Sequence, residues 1–338
     1  MSILIVNIGS TNLKYSSYIE QKSEQKKLIK QGESTNLKEL IEVIKPRVII
    51  SRIVFYPNPQ AIIELTPTII KDLEQYNQYA PLHNPQVLES LQLINKNYPN
   101  IIQYICPDSS FHSSISLARS TYALPQNLNT QYSLRKYGFH GLSHQYLALE
   151  YQKLTGKKQA RLITCHLGGG TSINATKNNK SLANSMGFST EEGVMMVKRS
   201  GNISANLVLF LQEQLNFSTQ DMRKLLTQES GFFGLTGTTD IKAIVESNEP
   251  NCKLAVEIYT NQIVDYIASY YNLLGGVESV IFSGGIGEKS KKIRETIRNK
   301  LKTLPLEYMV LKTDESQIML DYYSDLKKKN NPTRSYFK

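Results

Sequence analysis

Cysteine is scarce in this chain. Cys106, Cys165 and Cys252 are the three present in 338 residues. The count is odd and no pair has metal-ligand spacing, so a disulfide framework is not expected and reduced intracellular thiols are. Long apolar runs are also lacking. No stretch approaches the ~18 apolar residues of a membrane span. The apolar N-terminal run is broken by Asn7 and Gly9 and has no basic lead, unlike a signal peptide. A soluble cytoplasmic protein with no membrane partner is therefore expected. No basic stripe interleaved with stacking aromatics occurs, and no nucleic-acid motif, so no nucleic-acid partner is expected. The five histidines all fall between His83 and His166, at spacings that fit no standard zinc motif. Acidic residues are the minority charge: Lys and Arg outnumber Asp and Glu by 39 to 29, giving +10. Part of the excess lies in 21–31 and 327–338. It reads as a solvated basic face or as attraction of anionic substrates such as nucleotides.

What the chain does have is core-forming capacity and glycine turns. At 40% hydrophobic residues it can build one large or two medium domains. The organising stretch is Leu162 to Ala175: an apolar run, the turn Gly168-Gly169-Gly170, then alternating polar and apolar residues. That pattern is a strand, a tight turn and a second strand. Three glycines let the backbone approach a ligand, and backbone N–H groups in such a turn can converge on an anion. Ile3 to Tyr18 repeats the pattern around Gly9 and Ser10. Two similar halves, each with a phosphate-cradling hairpin, suggest a nucleotide held between two domains; the plainer reading is two ordinary β-hairpins.

Further signals follow along the chain. Glu20–Lys38 reads as a polar loop or irregular connection, then a short helix at 40–44. Val48–Phe55 is an apolar strand carrying Arg52, which needs an internal carboxylate or an anionic ligand to meet its charge. Asn84 is placed to cap a helix that Pro85 begins. Asp108 lies just past a strand end, as a helix cap or near a metal-bound phosphate. His140 sits between glycines in a loop, either as a structural histidine or beside a transferring phosphoryl group, and Ser143 is placed to cap the next helix, which Gly156 stops. Arg199 is a second arginine in an unusual setting, against Gly201. Ser218 and Asp221 form a capping box. Ser230–Asp240 reads as a Gly/Thr-rich loop. A strand at 277–282 runs into the Gly284-Gly285-Ile286-Gly287 turn, a weak nucleotide signal by itself.

Glycine turns with two isolated arginines, an Asp, a Glu and a loop His point to phosphoryl transfer. A carboxylate acceptor is already ionised near neutral pH and needs no base. It needs cations to hold it against the γ-phosphate, which two arginines supply better than a sugar site would. The segments Asn7–Lys14, Ala80–Pro85, Asp108–His112, Tyr137–His144, Thr164–Ser172, Ser185–Asn202, Gly284–Ser290 and Thr313–Glu315 resemble, in order, the motifs of the acetate kinase family. That family belongs to the acetate and sugar kinase, Hsp70 and actin superfamily.

The resemblance implies an α/β, duplicated two-domain ribonuclease H-like (actin-like ATPase) fold, with domains 1–110 plus 318–338 and 111–317 and the active site in the cleft between them. It implies transfer of the ATP γ-phosphoryl to acetate, giving acetyl phosphate and ADP, with Mg2+ or Mn2+, in a homodimer. Arg52, Asp108, His140 and Arg199 would be catalytic. Val54, Leu82, Phe139 and Thr190 would line the methyl pocket. Ser10, Lys14, His166, Gly168, Gly169, Gly170, Asp240, Lys242, Gly284, Gly285 and Gly287 would bind nucleotide. Asn7 and Glu315 would hold the metal. Arg52 and Arg199 are expected to face one cavity. The chain departs from the family pattern at Asn12, at Phe55-Tyr56-Pro57 where a Gly-Gly pair is usual, and at Gly169, Thr190, Lys242, Asn202 and Lys289, with a trimmed hairpin between Leu301 and Val310. Thr190, standing for a proline, is expected to make the pocket more polar and wider towards propionate. The alternatives are a propionate or short-chain acyl kinase, or a catalytically weakened nucleotide-binding relative.

Overall fold

In the computed structural model, residues 1–8, 13–20, 26–80 and 84–330 are described, the side chain of Gln78 excepted. Ser10 and Leu82 of the expected site lie outside them. The chain forms two compact units, one from Met1–Ser113 with the segment from Asp314 onward, the other from Ser114–Thr313.

The first unit holds strands β1 (Ser2–Ile8), β2 (Leu13–Glu20), β3 (Lys26–Ser34), β4 (Val48–Ile53), β5 (Ile63–Glu64) and β6 (Ile102–Pro107). They lie in the order β3-β2-β1-β4-β6-β5. The β1–β2 and β2–β3 pairs are antiparallel, while β1–β4 and β4–β6 are parallel. The second unit holds β7 (Arg161–Leu167), β8 (Thr171–Lys177), β9 (Lys180–Asn184), β10 (Ser279–Ser283) and β11 (Tyr308–Val310), in the order β11-β10-β7-β8-β9. Its β7–β8 and β8–β9 pairs are antiparallel, and β7–β10 and β10–β11 parallel. Each sheet thus contains a three-strand meander whose first strand carries two parallel strands on its other side, the first sheet adding β5 antiparallel to β6 at its edge, so the duplication legible in the two hairpins extends to the topology.

Strand β1 is buried on both faces: Ile3, Leu4, Ile5 and Val6 are all fully buried, as continuous apolar runs in central strands are. One face packs with Leu40, Ile41 and Ile94. In the second unit, Ile163, Cys165 and Leu167 face the long helix Pro250–Leu274 through Tyr259, Ile263 and Ile267. The opposite face of β7 packs, through Leu162, against Leu147, Ala148 and Tyr151 of the helix Gly141–Thr155. The cysteines are free thiols, and burial pushes Cys106 and Cys165 above the ordinary thiol range.

Several local expectations change. Glu20–Lys38 is not wholly irregular: β3 pairs along β2 from Glu20↔Lys26 to Leu13↔Ser34. Its side chains are almost all exposed, so backbone pairing makes the strand and no alternating pattern signals it. Ser230–Asp240 contains a short helix, Gly231–Thr236, and the turn at 284 is itself the start of a helix, Gly284–Lys289. Ser143 does not cap its helix: the helix begins at Gly141, with His140 in the N-cap position at φ 56°. Asn84 is buried and its side chain holds the Phe55 backbone, accepting from its N–H at 3.2 Å and donating to its carbonyl at 2.7 Å. The capping box at Ser218 and Asp221 is present. Glu315, inside the sequence-based division 111–317, sits in the first unit because it opens the helix Glu315–Asn330, which buries Ile318, Met319, Leu320 and Tyr323 there.

Candidate active site

The first unit collects its polar site residues at one end of its sheet. Parallel pairing sets Val6 beside Ser51 and Arg52 beside Cys106. The next residues along β1, β4 and β6 are therefore neighbours, and the strands deliver Asn7, Arg52 and Asp108 to one place. Arg52 Nη2 and Nε donate to Asp108 Oδ2 at 2.5 and 3.1 Å. Its Nη1 donates to Asn7 Oδ1 at 3.2 Å and lies 3.4 Å from Glu315 Oε2. Asn7 Nδ2 closes the ring with a 2.8 Å hydrogen bond to the same Glu315 oxygen. The Asp108 side chain has no exposed surface and that of Arg52 retains 16%. Burial works against the guanidinium charge, but the Asp108 and Glu315 carboxylates outweigh it and hold Arg52 above its ordinary value. Val54 lies two residues on and is partly buried; Lys14 is exposed on β2, opposite Asn7 in register.

The second unit gathers a different set around the Gly168–Gly170 turn. His140 and His166 lie in ring contact, with centroids 4.3 Å apart and planes tilted by 33°. A Cβ added to Gly170 would lie 3.2 and 3.3 Å from Cε1 and Nε2 of His140 and 3.7 Å from Arg199 Nη1, so the absence of a side chain leaves that space between the imidazole edge and the guanidinium. Arg199 Nη1 also donates to the Thr190 carbonyl at 3.1 Å. Burial pulls the Arg199 guanidinium below its ordinary value, only partly countered by the Glu191 charge. Phe139 and Thr190 are buried nearby in the chain.

The second glycine turn adjoins the first, because Ser283 at the end of β10 pairs with His166 on β7. Gly284 has φ 78° and a Cβ there would lie 2.6 Å from the Leu167 carbonyl, so this position requires glycine. A Cβ on Gly168 would come within 4.0 Å of the Gly285 nitrogen, while Gly169 and Gly285 are exposed. Gly287 packs on the Leu167 side chain. Asp240 caps the helix Ile241–Glu246, accepting from Ala243 N–H at 3.1 Å, with Lys242 in the first turn. A cavity of about 330 Å3 between Val245, Val256 and Lys292 shares no residue with this cluster.

Residues 26–321 match the model of the Acetokinase family. The chain belongs to the acetokinase family. Among curated relatives of this acetokinase chain, the acetate kinase of Limosilactobacillus fermentum is 39% identical over 239 residues, covering 69% of this chain and 60% of that protein. The acetate kinase of Phytoplasma australiense is 39% identical over 239 residues, 70% and 60%. The matched stretch spans less than two thirds of the length of these relatives. Among solved structures, a propionate kinase from Francisella tularensis aligns with a TM-score of 0.85 at 24% identity, over 95% of this chain and 98% of that one. Porphyromonas gingivalis acetate kinase aligns at 0.82 and 25%, over 96% and 99%. The fold is accordingly the duplicated, actin-like α/β fold of the acetokinases.

Sequence reading missed a buried set of hydroxyls and one histidine behind His140. Ser143 Oγ lies 2.8 Å from His166 Nδ1, His144 contacts Thr164 and Ser172 at 2.7 Å each, and Ser172 reaches His140 Nδ1 at 2.8 Å. The signal was present in the spacing. Ser143 and His144 follow the N-cap His140 at i+3 and i+4 in the first turn of the helix, and Thr164, His166 and Ser172 fall on one face of the β7–β8 hairpin.

Proposed function

We propose that this chain transfers the γ-phosphoryl group of ATP reversibly to acetate, forming acetyl phosphate and ADP. The observation that carries this reading is the space at Gly170, bounded by the His140 imidazole edge and the Arg199 guanidinium, in a family whose curated members at 36–39% identity are named acetate kinases. A guanidinium whose burial disfavours its charge gains most from an arriving anion.

In this reading the acetate oxygen attacks the γ-phosphorus in line. One carboxylate oxygen gains a P–O bond, the bond from the γ-phosphorus to the bridging oxygen breaks, and ADP leaves with that electron pair. Acetate needs no base, being ionised already. Arg199 and His140 would stabilise charge on the transferring group, and Arg52 would hold the carboxylate against it. Asp108 keeps Arg52 oriented and charged. The turns at 168–170 and 284–287 would receive the nucleotide phosphates through backbone N–H groups, with Asp240 and Lys242 towards the nucleoside. Phe139, Val54 and Thr190 would face the methyl group.

Asn7 Oδ1 and the Glu315 carboxylate form a small set of hard oxygen donors, which suits Mg2+, an ion that takes one or two protein oxygens and fills its shell with water and phosphate. When bound, the ion would neutralise charge on the nucleotide phosphates.

We further infer a homodimer. The helix Ala205–Leu215 buries none of its residues. It leaves Leu207, Leu209, Phe210 and Leu215 between 44% and 56% exposed, beside Ile203, an apolar surface of the kind a partner covers.

The test is a hydroxamate assay with ATP, Mg2+ and acetate, propionate or butyrate. Acyl hydroxamate from acetate, lost in Arg199→Ala, supports the reading. No product from any of the three acids would end it.

A further inference from the structure

His144 is buried without exposed surface, and both its ring nitrogens are committed. Nδ1 lies 2.7 Å from Thr164 Oγ1 and Nε2 lies 2.7 Å from Ser172 Oγ, which in turn lies 2.8 Å from His140 Nδ1. Thr164 and Ser172 are equally buried. The four groups form one chain, Thr164–His144–Ser172–His140, and each hydroxyl in it has one proton to give.

That count leaves two arrangements for neutral rings. In the first, Thr164 donates to His144 Nδ1, His144 donates from Nε2 to Ser172, and Ser172 donates to His140 Nδ1. The His140 proton is then on Nε2. In the second, every arrow reverses: His144 donates to Thr164, and Ser172 accepts from His140 Nδ1–H, leaving Nε2 bare. Thr164 decides between them. Among the described residues its hydroxyl makes no other hydrogen bond than the one to His144. Reversal would leave its buried hydrogen without an acceptor, whereas the first arrangement uses every proton once.

We propose that Thr164 and His144, acting through Ser172, fix the tautomer of His140 so that Nε2 carries a proton towards the space at Gly170. Thr164, His144 and Ser172 are positioning residues in this scheme, and His140 is the group they orient. A histidine nitrogen is set by the hydrogen bond its other nitrogen makes, and here that setting is passed from a threonine through a second histidine. A bare Nε2 would turn a lone pair towards incoming phosphate oxygens; a protonated one offers them a donor.

The proposal rests on the kinase reading only for its kinetic arm. The direct test is 15N NMR of the histidine-labelled chain near neutral pH, with His140 assigned by its loss in His140→Gln. The expected spectrum shows His140 protonated at Nε2 and bare at Nδ1. In Ser172→Ala the setting is lost and a second His140 tautomer gains population, and kcat for acyl phosphate falls roughly tenfold or more with KM for ATP little changed. His144→Gln, whose amide nitrogen can donate to Ser172 as Nε2 does, keeps the wild-type tautomer; His144→Leu loses it. A purely structural His144 would not separate Gln from Leu in this signature. A wild-type His140 protonated at Nδ1 with Nε2 bare, or a tautomer unmoved by both Ser172→Ala and His144→Leu, overturns the proposal. The wild-type spectrum alone decides if those variants do not fold. If the kinase reading fails, no acyl phosphate forms and the NMR result still stands or falls by itself.

Discussion

Replacing Arg52 by leucine removes the cation that faces a carboxylate with no exposed surface. Asp108 then keeps its burial and loses a partner that now approaches to 2.5 Å. Breaking a buried ion pair from one side costs about 3–5 kcal/mol, because the remaining charge is left in a poorly solvating place. Asp108→Asn acts from the other side and should cost less, about 1–2 kcal/mol. It removes the buried charge, leaves an amide oxygen able to accept, and Arg52 still has Asn7 at 3.2 Å and Glu315 at 3.4 Å. The double replacement Arg52→Leu with Asp108→Leu takes away both charges and should recover most of the loss of the arginine variant. Urea unfolding followed by circular dichroism gives the three free energies on one scale. The expected order of damage is Arg52→Leu first, with Asp108→Asn and the double variant milder. If Asp108→Asn proves at least as damaging as Arg52→Leu, the carboxylate is not the stranded charge and the reasoning about this cluster is wrong. Acyl phosphate formation should be lost in all three, which separates the stability ranking from the role in turnover.

Four further outcomes are expected. Gly170→Ala places a methyl 3.2–3.3 Å from the His140 ring, which the tilted contact with His166 and the bond to Ser172 hold in place; turnover should fall roughly hundredfold with little change in melting temperature. Removing Mg2+ with a chelator should abolish acyl phosphate formation, and adding it back should restore it; full activity in chelator would count against the oxygen donors Asn7 and Glu315 holding a needed ion. Phe210→Glu with Leu209→Glu should convert a dimer to a monomer in light scattering, and an unchanged mass would remove the helix Ala205–Leu215 from the interface. Hydrogen bonds and charge from Arg161 outweigh burial and hold the Glu278 carboxyl below its ordinary 4.5. A carboxyl lowered by folding contributes stability that is present above that value and lost as pH falls beneath it. Glu278→Gln should therefore flatten the acid side of the stability curve below about pH 4.5, and an unchanged slope would show the pairing with Arg161 to be inert.

Much of this was legible because glycine and alternation are local signals. The stretches 3–18 and 162–175 read as hairpins from spacing alone, and β1–β2 and β7–β8 are those hairpins. The arginine in β4 announced a partner, and long-range parallel pairing supplies it as Asp108. What stayed hidden depends on partners distant in sequence. Strand β3 carries an exposed, Lys-rich sequence and exists because β2 offers a free edge. Ser143 has the chemistry of an N-cap but finds His166 at 2.8 Å instead, so tertiary geometry overrides a local preference. The same holds for Asn84, drawn to the Phe55 backbone. His144 read as a motif residue with no task because its partners Thr164 and Ser172 lie across a helix–sheet contact.

The hydrogen bond between Asn7 and Glu315 joins positions 308 apart in sequence. On the ribosome, every strand of the first sheet has emerged by Pro107, but the helix that brings Glu315 is made only after the whole second unit, a delay of tens of seconds at ~5–20 residues per second. Through that interval Arg52 has Asp108 for company and lacks its second carboxylate. A nascent or prematurely terminated chain can therefore hold a nearly finished sheet and still carry an unfinished centre, so stalled translation products should be inert however well their first half folds.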